Sequence, residues 1–93
     1  MEANGRQNGE IRMLVAVFFA ETNQSYDFKL DGGVPIEQLV EEMVGMIVQR
    51  DHLALKRDPG LFLLCSKKQG RIFEKSSTLL ENGVVSGDEL MLI

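Results

Sequence analysis

The chain is 93 residues long, 44% hydrophobic and 26% charged, with a formal net charge of −4 and a single cysteine. Such a length makes one domain with one core, and such a composition is that of an ordinary soluble globule rather than a disordered or fibrous chain. The acidic balance argues against nucleic acid, whose binding depends on Lys and Arg neutralising phosphates. A lone thiol excludes an intrachain disulfide, a cysteine zinc cage and an iron–sulfur cluster.

Residues 1–10 (MEANGRQNGE) are polar, carry two glycines and two asparagines, and are expected to form a flexible tail before a domain at 11–93. From Ile11 to Phe19 the apolar residues occupy every odd position, and the run is rich in Val, Ile and Phe. Its uninterrupted apolar part, Met13 to Ala20, is too short to span a bilayer, and no small-residue cleavage site follows it. It therefore reads as a buried strand, and the expectation is a cytoplasmic protein with no direct membrane insertion. Glu21 to Gln24 is a polar turn. Ser25 to Leu30 then alternates, with Tyr26, Phe28 and Leu30 on one side and Asp27 and Lys29 on the other, which completes a hairpin.

Asp31-Gly32-Gly33 breaks that strand and leads into the longest element, a helix predicted over Pro35 to Arg50. Its apolar residues, Ile36, Leu39, Val40, Met43, Val44, Ile47 and Val48, form one stripe opposite Glu37, Gln38, Glu41, Glu42, Gly45 and Gln49. Pro35 is expected at the first helical position, where its fixed φ suits the start. Beyond the stop signal Asp58-Pro59-Gly60, Leu61 to Cys65 is a short apolar strand, Lys67 to Gly70 a turn, and Arg71 to Phe73 a returning strand. Ser76 to Asn82 is expected to make one helical turn closed by Gly83, with Leu79 inward and Val84 buried. Ser86-Gly87-Asp88 turns the chain into a last strand, Glu89 to Ile93.

Hairpin, helix, hairpin, turn and last strand make an α+β chain. The last strand is most stably placed beside the first, giving one mixed sheet with the amphipathic helix packed across one face. That arrangement is a single ubiquitin-like β-grasp domain.

The closing residues TLLENGVVSGDELMLI resemble the end of ubiquitin-like proteins, with Leu79, Val84, Leu90 and Leu92 where that superfamily places core side chains, and Leu30 to Ile36 resembles its strand-to-helix junction. Within the superfamily the chain is most similar to the YukD-like proteins associated with bacterial type VII secretion. The likeness rests on the compact size, the Lys67–Gly70 turn before Arg71-Ile72-Phe73, and the run from Leu79 through Asn82-Gly83-Val84 to Gly87-Asp88-Glu89-Leu90. It implies a non-conjugating interaction protein, a cytoplasmic accessory or regulator of a type VII-like secretion system in a Gram-positive bacterium. Its partner would be another protein, a membrane secretion component or a second copy. The alternatives are a cytosolic ubiquitin-like domain of a larger membrane secretion component, and a modifier or sulfur carrier. The last needs a flexible Gly-Gly tail, whereas Glu89 to Ile93 reads as strand throughout.

No P-loop, dinucleotide fingerprint or metal-ligand spacing is present, so neither a cofactor nor an enzymatic activity is expected. His52 reads as an exposed loop residue and Cys65 as a small core residue. Lys67, Lys68 and Arg71 read as a solvated hairpin tip. The one pointer to binding is alternation. With Val15, Val17, Leu90 and Leu92 facing the helix, Leu14, Ala16, Phe18, Met91 and Ile93 face the other way, where an antiparallel sheet is ordinarily polar. Leu14, Phe18, Met91 and Ile93 are therefore the candidate protein-binding residues, with Leu61 or Leu63 as an extension.

Overall fold

The computed structural model describes residues 11–93, and the tail expected at 1–10 lies outside them. The first strand, β1 (Arg12–Phe19), turns through Asn23, in the left-handed region at φ 58°, into β2 (Gln24–Asp31). The helix α1 (Ile36–Asp51) follows, then a 3₁₀ turn at Pro59–Leu61. The short strands β3 (Leu64–Ser66) and β4 (Arg71–Ile72) form the second hairpin, and β5 (Glu89–Leu92) ends the order. All five strands share one sheet in the order β2-β1-β5-β3-β4. The β1–β5 pair is parallel and the others are antiparallel, as the placement of the last strand beside the first requires.

The helix buries Ile36, Leu39, Val40, Met43, Val44 and Ile47 against Val15, Val17, Phe19, Leu90 and Leu92 of the sheet's inner face, with Val48 half-buried at the margin. Each fully buried side chain of this kind is worth about 1.5–3 kcal/mol, so the stripe supplies the larger part of what holds α1 down. Phe62 meets Phe19 edge-to-face at a centroid distance of 5.2 Å, and Leu79, Val84 and Phe73 close the end of the core.

Pro35 is the N-cap, at φ −56° and ψ 140°, and not the first helical residue as expected. The chain reaches extended geometry there because the helix start is bonded to a distant loop. The Ile36 amide donates to the Ser77 carbonyl at 2.8 Å, the Glu37 amide donates to that of Lys75 at 2.9 Å, and Pro35 bridges Thr78. These backbone acceptors satisfy donors that a capping side chain would otherwise serve.

Residues 76–82 form hydrogen-bonded turns and no full helix, although Gly83 closes them at φ 74° and Leu79 points inward, both as expected. Thr78 and Glu81 hold the segment by reciprocal side-chain-to-amide bonds of 2.9 and 3.1 Å, the capping-box pattern. The strand expected at Leu61 begins only at Leu64, because Pro59 and Gly60 keep Leu61 in the 3₁₀ turn. Ile11, expected in the first strand, lies before it and is exposed.

A candidate protein-binding face

The outer face of the sheet is built by strand phase. On β1, Met13, Val15, Val17 and Phe19 are buried against the helix, so Leu14, Ala16 and Phe18 turn outward; on β5, Leu90 and Leu92 are buried and Met91 turns outward. Register then fixes their neighbours. Phe18 lies directly opposite Met91, Met91 opposite Cys65, and Cys65 opposite Ile72. The result is a continuous row, Phe18-Met91-Cys65-Ile72, running across four strands.

Ile93 lies one step further along. It exchanges both backbone hydrogen bonds with Leu63, at 2.7 and 2.9 Å, and so adds Leu63 to the face. Phe18, Met91, Cys65, Leu63 and Ile93 are half-buried, and Ile72 is 51% exposed. A shallow hollow lies on each side of Met91, one lined by Ala16, Phe18, Ser25 and Lys67, the other by Cys65, Gly70, Arg71 and Ile72.

Of the residues singled out in the sequence, Phe18, Met91 and Ile93 come together. Leu14 shares the face but stands apart, beyond Ala16 and beside Lys29 at its far end, and it is 56% exposed. Leu63 joins the patch, whereas Leu61 projects from the 3₁₀ turn, outside any strand.

Cys65 and Ile72 were missed, and Cys65 was misassigned to the core. It looks outward, because Leu64 and Ser66 take the inner positions of β3. Both phases of Leu61 to Cys65 are apolar, so nothing local in the sequence selects between them; the pairing with β5 does. Burial raises the Cys65 thiol pKa, which opposes the thiolate a nucleophile needs.

The rim is polar. Lys67 lies 3.7 Å from Glu89 and Lys68 lies 3.6 Å from Asp88, pairs that bind the hairpin tip to the start of β5. The Lys67–Glu89 pair is exposed on both sides and contributes little to stability, whereas in the second pair Lys68 is exposed and the Asp88 side chain is largely buried. Lys67 and Lys68 are exposed, as expected of a solvated hairpin tip, and also reach Glu89 and Asp88. Among the described residues no group of three His, Cys, Asp or Glu side chains converges to hold a metal, and no helix is long and apolar enough to cross a membrane. His52 is exposed, in the left-handed conformation that ends α1.

Residues 14–92 match the family described as WXG100 protein secretion system (Wss), protein YukD. The chain belongs to the YukD family. Solved structures agree on the fold. The ubiquitin-like domain of the Mycobacterium tuberculosis type VII secretion system protein EccD1 is 18% identical, with a TM-score of 0.67 over 89% of this chain and 98% of that one. The EccD5 ubiquitin-like domain of Mycobacterium xenopi is 23% identical, also at 0.67, over 89% and 93%. A chain of a toluene 4-monooxygenase complex reaches 0.73 at 15% identity over 88% and 96%, so the YukD fold is shared with proteins of unrelated work. No curated protein matches in sequence. The β-grasp fold expected from element order is confirmed.

Proposed function

We propose that this YukD-family chain is a non-conjugating, non-enzymatic ubiquitin-like component of a type VII secretion system. It acts in the cytoplasm of a Gram-positive bacterium by docking its outer sheet face onto another protein of the machine. The observation that carries the reading is the row Phe18-Met91-Cys65-Ile72, with Ile93 and Leu63 beside it. A contiguous apolar strip with a charged rim has the anatomy of an interface core.

The test is binding of the purified chain to detergent-solubilised secretion components. Phe18→Asp is expected to weaken binding at least tenfold, since a central interface aromatic commonly contributes about 2 kcal/mol or more. Its circular-dichroism melt should remain cooperative. Wild-type binding by a folded Phe18→Asp chain would overturn the proposal. A second reading, that the chain serves as the cytosolic ubiquitin-like domain of a larger membrane component, is favoured by the likeness to the two EccD domains. It uses the same face.

A further inference from the structure

Among the described residues, the edge of the sheet formed by β2 is unpaired. The Gly32 amide donates to the Ile11 carbonyl, so Ile11 and Gly32 form a hydrogen-bonded pair, and by the alternation of an antiparallel ladder so do Met13 with Leu30, Val15 with Phe28 and Val17 with Tyr26. The other residues of β2, Ser25, Asp27 and Lys29, must point their amides and carbonyls away from β1. Consistently, the alternate residues of β1 bond in the other direction: the Ala16 amide donates to the Asp88 carbonyl, and the Leu14 carbonyl accepts from the Gly87 amide. Among the described residues nothing pairs with the outward groups of Ser25, Asp27 and Lys29, and the side chains of Asp27 and Lys29 are exposed with no ion pair. An eight-residue edge with no proline and no bulge is a template for another strand.

We infer that this edge pairs with the β2 edge of a second copy of the chain, antiparallel about a two-fold axis at Phe28. The charges select the occupant and the register together. In that register Asp27 of each copy faces Lys29 of the other, both pairs on the outer face, and both at positions whose amides and carbonyls already point across the seam. A slip of two residues one way sets Asp27 against Asp27, and the other way sets Lys29 against Lys29 and Asp27 against Asp31. Like charges directly opposite destabilise a pair, so the two unpartnered charges that guard the edge against other registers and other strands are satisfied in this one.

The inner side is self-complementary as well. Phe28 meets its own copy across the axis, and Met46, 49% exposed in the groove between β2 and α1 with Tyr26, Phe28, Ile47 and Arg50, is brought to the seam beside it. Because the axis is perpendicular to the sheet, the two outer faces lie side by side. A dimer would thus present two copies of the Phe18 row on one continuous surface.

Sedimentation equilibrium of the purified chain tests this without any secretion partner, so its result is independent of the docking proposal. The wild type is expected to dimerise and to weaken as salt rises. Asp27→Lys alone and Lys29→Asp alone each place like charges in both symmetric pairs and should weaken dimerisation roughly tenfold or more. An equimolar mixture of the two variants should restore it as a heterodimer, and the double variant D27K/K29D should restore the homodimer. Phe18→Asp should leave it unchanged. A wild type that stays monomeric across the concentration series, a dimer indifferent to the single variants, or a mixture that fails to associate would each overturn the inference.

Discussion

Tyr26 shows how much of this molecule is decided by single contacts. Its ring is buried beside Phe28, its hydroxyl donates to Asp51 Oδ2 at 2.7 Å, and Thr22 Oγ1 lies 3.0 Å from the Tyr26 hydroxyl oxygen, so one side chain links the β1–β2 turn to the end of α1. Burial, above all, and then the Asp51 carboxylate raise the phenol pKa above 10.0, against the lowering effects of Thr22 and Arg50. The folded chain therefore holds the phenolic proton more tightly than the unfolded chain. Stability is fully present below the unfolded value of 10.0 and falls as pH rises from there through the folded pKa. Tyr26→Phe should cost about 1 kcal/mol in urea titrations at pH 7. Lacking the phenol, it should also escape the alkaline loss, so the gap to wild type should narrow above pH 10. The core position of Tyr26 was legible from the alternation of β2, but its bond to Asp51 was not, because the two residues meet only through the packing of α1 on the sheet.

At the scale of the element, legibility followed length. The stripe of α1 repeats over several turns, and all six residues buried there stand where the period puts them; β1 and β2, with eight residues each, show their inward faces equally well. Strands β3 and β4 have three residues and two, too few for a period to appear, and their existence depends on partners distant in sequence. The outer site suffered accordingly. Phe18 and Met91 were found because they lie on well-patterned strands, and Cys65 and Ile72 were lost because theirs are not. The helix also carries a test of its own solvent side. A Cβ added at Gly45 would meet nothing within 4 Å. Gly45→Ala should accordingly stabilise the chain by about 1 kcal/mol, read as a higher urea midpoint with an unchanged slope. Stabilisation accompanied by lost binding to secretion components would show that another backbone approaches α1 at that point.

Considered as a whole, the molecule turns on β5, which occupies the middle of the sheet although it follows the other four described strands in sequence. Leu90 lies opposite Val17 on one side and Ser66 on the other and is almost fully buried. Leu90→Ala should cost about 2–5 kcal/mol by cavity formation. That is a large fraction of the roughly 5–15 kcal/mol that holds a domain together, so a marked fall in urea midpoint is expected. The overall topology was readable because few arrangements accommodate two hairpins, one helix and a leftover strand. The register that sets Phe18 against Met91 was not, since parallel pairing leaves no turn to fix it. The central place of β5 also orders events in time. A chain leaving the ribosome completes β1, β2 and α1 early, then β3 and β4, yet the two hairpins share no ladder until Glu89–Leu92 arrives between them. Until that stretch has emerged, Val17, Phe19 and Leu64 lack the neighbours that cover them, and the core stays open along the seam that Glu89–Leu92 closes.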